Sequence, residues 1–126
     1  MIRHVLGLLI IGWLMLPLEA GASGVEARRE YIARNYEAAL RAAQSGAELG
    51  DSVAMLILGL LHFEGRAVSR DYKAALRWWR ASADLGNNKA QNNIGLIFHE
   101  GLGVEKNYKE AAKRFELSAS RGEALA

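Results

Sequence analysis

A tyrosine returns at Tyr36, Tyr72 and Tyr108, at intervals of 36 residues, and its neighbours return with it. Asn35-Tyr36-Glu37-Ala38-Ala39-Leu40 is matched by Asp71-Tyr72-Lys73-Ala74-Ala75-Leu76 and by Asn107-Tyr108-Lys109-Glu110-Ala111-Ala112. The register extends to Ala47, Ala83 and Ala119 and to Gly50, Gly86 and Gly122. Two-copy matches add Gly59 with Gly95, Glu64 with Glu100 and Gly65 with Gly101. Self-similarity at this period marks a solenoid, in which each unit buries its apolar face by stacking on a neighbour. The chain is therefore expected to be an all-α, α/α superhelix whose business is binding.

Ahead of the repeats the composition changes. Arg3 and His4 precede an uncharged run from Val5 to Leu18, and Ala20-Gly21-Ala22 then supplies small residues. That layout predicts a secretory signal over 1–22, with a mature chain from Ser23. A helix over this run is about 21 Å long, short of the ~30 Å hydrocarbon core. Contact with a membrane is thus expected only through this segment, if it stays uncleaved. The destination is the periplasm or the medium. The chain has no cysteine, so disulfides and thiolate zinc sites are excluded and packing alone must hold the domain. A net charge of +2, with acidic and basic residues interspersed, offers no stripe for nucleic acid.

Each period reads as two helices. Asp51 and Ser52 are N-cap candidates before the apolar stretch 53–64, and Gly65 stands where that helix should end. The second helix follows Asp71 or Asn107 and should stop at Gly86 or Gly122. Its apolar residues Tyr72, Ala75, Leu76, Trp79 and Ala83 keep three-and-four spacing. The units are therefore placed at 53–86 and 89–122. One long helix over 25–48, a lone second helix, is expected to open the array. Gly59 and Gly95 fall inside first helices, where each costs about 1 kcal/mol relative to alanine. Close approach of two helix backbones, helped by Ala39, Ala75 and Ala111, would account for them. The C-terminal end lacks an obvious polar cap, so self-association there is a further reading.

The segment Ala90-Gln91-Asn92-Asn93-Ile94-Gly95-Leu96-Ile97-Phe98-His99-Glu100-Gly101-Leu102-Gly103-Val104, with Asn107-Tyr108 and Ala111, resembles the Sel1-like repeat, a relative of the tetratricopeptide repeat. So does Asp71 to Gly86. The resemblance implies a scaffold for protein–protein contacts, often exported in bacteria. Departures are Ala67 in place of a glycine, His62 in place of an aromatic, and Arg114 where Trp78 stands one unit earlier. Some cysteine-stapled relatives are linked to hydrolase activity or β-lactam binding, and a secreted protein of that kind is the alternative. This chain lacks their cysteines.

On a helical wheel at about 100° per residue, Ala54, Leu58, Leu61 and His62 share one side, expected to face the partner helix. Leu56, Leu60 and Phe63 lie opposite, and Asn92, Leu96 and His99 are their counterparts in the next unit. These six residues are the expected partner-binding surface, on the concave side, for a protein or peptide of the cell envelope. No cofactor, metal site or catalytic group is expected. His62 and His99 are one position out of register and point to different sides. Glu64 and Glu100 lie a unit apart, Trp78 and Trp79 are read as packing residues, and Ser118 and Ser120 lack the context of a nucleophile. The Lys106, Lys109, Lys113 and Arg114 group reads as a solvated helix face. Within the scaffold reading, both regulation of a membrane sensor and neutralisation of a toxic effector are open.

Overall fold

The computed structural model describes residues 23–125; the signal segment expected over 1–22 lies outside them. Six helices follow one another among the described residues: α1 (Gly24–Ile32), α2 (Tyr36–Glu48), α3 (Ser52–Glu64), α4 (Tyr72–Asp84), α5 (Asn88–Glu100) and α6 (Tyr108–Leu125). Among the described residues there is no strand, and no helix long and apolar enough to cross a membrane. The helices pack as three hairpins stacked in chain order. The expected all-α solenoid is what the chain forms.

The punctuation repeats from unit to unit. Asp51, Asp71, Asn87 and Asn107 each turn a side-chain oxygen onto amide hydrogens of the helix that follows. At the other end, Gly65 and Gly101 both take φ +68°, the left-handed conformation that closes α3 and α5 without a Cβ penalty. The seven-residue connectors after them are pinned alike, by Asp71 N–H donating to the His62 carbonyl (2.8 Å) and Asn107 N–H to that of Phe98 (2.9 Å).

The chain departs from expectation at both ends. The single helix expected over 25–48 is two, because Arg34 adopts φ +65° between α1 and α2. The array thus begins with a tight hairpin instead of a lone second helix. Asp51 fastens it: one carboxylate oxygen caps α3 at Val53 and Ala54, while the other accepts from Gly24 N–H at the head of α1 (2.8 Å). At the far end α6 runs through Gly122, expected as a stop, to Leu125. The exposed face of α6 carries Lys109, Lys113, Glu116, Ser120 and Arg121; its large exposed apolar residues among those described are Tyr108, at its start, and Leu117.

Two apolar clusters form the core, and α3 is shared between them. The first joins Leu58 and Leu61 to the alanine face of α2 (Ala39, Ala42, Ala43, Ala47). The second joins Leu56 to Leu76 and Trp79 of α4 and to Ile94 and Ile97 of α5. Leu58 and Leu61, expected to face the partner helix, instead meet the alanine face of the preceding hairpin, and Leu56 and Phe63, expected opposite, meet α4. His62 lies toward α4, as the wheel reading had it. A helix apolar all round is here a buried one.

Gly59 and Gly95 turn out to accommodate rings, where a close pass of two backbones was expected. A Cβ on Gly59 would stand 2.3 Å from Trp79 Nε1, and one on Gly95 would stand 2.5 Å from Phe115 Cε1. Trp79 and Phe115 are themselves one period apart, so each unit repeats a socket and a plug. Trp79 is 1% exposed, and its indole N–H donates to the Leu56 carbonyl (3.1 Å). A second repeated tie joins the hairpin tops, where Ser82 Oγ donates to the Ser52 carbonyl and Ser118 Oγ to that of Asn88 (2.7 and 2.8 Å). That bond gives Ser118 a structural task.

Candidate functional site

The first helices of the three hairpins, α1, α3 and α5, come to lie side by side and leave a groove between them. It has a volume of about 530 Å³, within the range of roughly 300–1,000 Å³ usual for ligand clefts. Val53, Leu56, Ile57 and Leu60 of α3 form its floor. Arg28, Tyr31 and Ile32 of α1 form one wall, and Leu85 to Asn87 of the α4–α5 turn, with Asn88 and Lys89 at the head of α5, form the other. A shallower extension continues past Leu60 and Lys89 to Asn92 and Asn93 of α5.

The six expected binding residues do not share one fate. Leu60 and Asn92 meet in the groove and its extension. Leu96 is 40% exposed one turn beyond Asn92, and His99 is exposed with its ring against Tyr108 (5.3 Å between centroids). Leu56 touches the groove but is only 7% exposed, as part of the second core cluster. Phe63 is half-buried, its ring 5.3 Å from those of both Tyr72 and Trp79. Leu56 and Phe63 therefore serve packing first, because α4 and α5 close over the side of α3 that was expected to be free.

The α1 wall escaped the sequence reading. Tyr31 donates its phenol to the Glu64 carboxylate, which also pairs with Arg66 (3.3 Å), and Arg66 lies over the Tyr36 ring (4.6 Å). Burial and the neighbouring Glu64 charge push the Tyr31 phenol above its ordinary pKa, so it stays a neutral donor. Glu64 thus straps α1 to the end of α3. Ile32 and Leu85, on opposite walls of the groove, are 68% and 56% exposed. Their exposure is a property of loops and helix ends that a wheel drawn on α3 could not show.

The titratable groups outside the groove sit apart. His62 is wedged between α3 and α4, with Nδ1 lacking a partner and its pKa depressed by burial. Its counterpart in the next unit is Phe98, which packs on the second cluster. Arg114 is half-buried and bonded to Glu110 (2.9 Å) and Gln91 (3.0 Å), so it leaves the solvated lysine face expected for it. Met55 and Trp78, the residues one period earlier, pack against the first cluster. A polar pair has replaced an apolar one at the same place in the repeat. Among the described residues, no three His, Asp or Glu side chains gather as a metal site would require.

Comparison with known proteins agrees with this geometry. The model of the Sel1 repeat matches residues 52–87 and 88–123. Among solved structures, a Sel1 repeat protein from Oxalobacter formigenes is 28% identical with a TM-score of 0.75, over 82% of this chain and 41% of that one. A protective antigen of uropathogenic Escherichia coli with an SLR fold is 30% identical with a TM-score of 0.72, over 82% of this chain and 23% of that one. The chain thus spans less than half the length of either protein. A search of curated proteins finds no match.

Proposed function

The chain belongs to the Sel1 repeat family, and from that starting point we propose that it is an exported, non-enzymatic scaffold that docks a protein or peptide of the cell envelope in the groove between α1, α3 and α5. Sel1-like repeat proteins act as scaffolds for protein contacts. The observation that carries the reading here is the groove itself, whose floor includes Leu60 and whose walls leave Ile32 and Leu85 more than half exposed. Large apolar side chains gathered in a concavity are a usual mark of an interaction site. Leu60, Asn92 and Leu96 are the residues assigned to contact.

Export rests on the composition of residues 1–22, with a basic start, an apolar run and a small-residue end. A fusion of this segment to a phosphatase that works only outside the cytoplasm should be active; an inactive, stable fusion would refute export. The polar outer face of α6 gives self-association little to use, and a monomer is expected by light scattering.

Docking is tested by cross-linking the full chain in envelope extract beside a Leu60→Asp, Leu96→Asp variant. A discrete adduct lost in the variant is the expected result. An adduct pattern unchanged by the substitutions would remove the groove from the reading.

A further inference from the structure

Resting on the docking reading above, we infer that the groove's occupant is an acidic peptide segment bearing aliphatic side chains, bound in extended form. The floor is aliphatic throughout: Val53, Leu56, Ile57 and Leu60. A matching ligand must offer aliphatic side chains of its own. The charge at the rims is of one sign. Arg28 stands on the α1 wall and Lys89 at the head of α5, and no carboxylate lines either the groove or its extension.

Among the described residues neither Arg28 nor Lys89 has an ion-pair partner; the arginines that do are Arg29 with Glu26, Arg66 with Glu64 and Arg114 with Glu110. Arg121 adds to this field, its guanidinium lying beside Gly86 at the groove wall. Two unpaired cations facing each other across an aliphatic trough complement a ligand with carboxylates flanking its apolar residues. Such charges act mainly on encounter rate and on the choice of partner.

The amides decide the form of the ligand. Asn87 and Asn107 spend their side chains on helix caps, but Asn92 and Asn93, in the extension beside Leu60, have no intramolecular side-chain bond among the described residues. Each amide both donates and accepts. An extended backbone carries unpaired N–H and C=O groups that such amides can satisfy, whereas a helical ligand has already spent its own.

The experiment is a display selection of random 12-residue peptides on the immobilised full chain, repeated on an Arg28→Glu, Lys89→Glu variant and on Leu60→Asp. Both rim positions are exposed, so the melting temperature of the charge variant should equal that of the parent and serves as the fold control. The expected pool from the parent is enriched in Asp and Glu interspersed with Leu, Ile and Val. A fluorescein-labelled member of that pool should bind at least tenfold more weakly in 0.5 M salt. The charge variant should select Lys and Arg instead.

A parent pool without acidic excess, or an excess that persists on the charge variant, overturns the acidic ligand while leaving a groove that Leu60→Asp still disables. Enrichment insensitive to Leu60→Asp, or no enrichment at all, overturns the groove reading as well. Proline-free pools whose members become helical on binding, measured by circular dichroism, would overturn the extended form.

Discussion

Changing Gly59 to alanine should destabilise this protein, against the usual rule for helices. In an open helix the exchange gains about 1 kcal/mol. Here the new methyl carbon would stand 2.3 Å from Trp79 Nε1 and 2.4 Å from Cδ1. Carbon contacts normally rest at roughly 3.5–4.0 Å, so the indole must retreat by about 1 Å or more. Forcing an extra methyl into a packed core costs about 1–3 kcal/mol. Retreat also strains the bond from the indole N–H to the Leu56 carbonyl (3.1 Å), and a buried donor left unpaired costs about 1–3 kcal/mol more. Set against the helical gain, the net loss is centred near 3 kcal/mol. In a domain of this size that lowers the melting temperature by roughly 10–20 °C.

Calorimetry and urea titration on Gly59→Ala, Trp79→Leu and the double variant measure the coupling directly. With the smaller leucine in the socket, the alanine should cost little or revert to a gain. Gly122→Ala is the control, because its Cβ would meet only Asn88 Nδ2 at 3.7 Å; that substitution should raise stability by about 1 kcal/mol. A Gly59→Ala variant that melts higher than the parent, or an equal penalty in both backgrounds, would refute the socket.

Acidification should weaken the fold through His62. Its folded-state pKa lies below the ordinary 6.5 because burial disfavours the charge, Asp71 opposing and Arg77 adding to the effect. The unfolded chain therefore takes the proton first, and stability present above about pH 6.5 is lost as the pH falls below it. His62→Phe, which copies Phe98, should flatten the melting temperature between pH 7.5 and 5.5; an unchanged slope would place the titration elsewhere. Asn87→Ala removes one cap bond and should cost about 1 kcal/mol in urea unfolding. Asp51→Ala removes the α3 cap and the Gly24 anchor together, so it should cost more and speed amide exchange across α1; equal costs would deny the anchor. Leu96→Ser should stay within about 0.5 kcal/mol of the parent, while Leu56→Ala should cost about 2–5 kcal/mol, and chemical denaturation separates the two.

The hairpin plan was legible because it is written in short-range signals. Gly65 and Gly101, and the oxygens of Asp51, Asp71 and Asn107, act within one helical turn, and all five do what their residue types suggest. The break at Arg34 carries no glycine or proline, and an arginine at φ +65° is hard to foresee. Yet Asn35 aligns with Asp71 and Asn107 in the repeat, and that register alone places a helix start there. Gly122 shows the converse. Gly86 ends α4 because Asn87 follows it as a cap, whereas Gly122 is followed by glutamate and the helix continues. Which side of α3 is covered depends on how hairpins stack, a long-range matter that no wheel contains. That is why Phe63 turned inward and Leu56 became mainly a core residue at the groove floor, while Leu60 and Asn92 met in the groove and its extension.

The exchange of Met55 and Trp78 for Gln91 and Arg114 gives the array a direction. The two hairpins share an outline but differ chemically, one greasy and one hydrogen-bonded within itself. Transposing them would carry each pair along whole, yet it would set the Gln91–Arg114 pair against the α2 alanine face on which Met55 and Trp78 now pack. Each module thus bears an address, and a copy moved next to α2 would suit that place only with Gln91 and Arg114 made apolar.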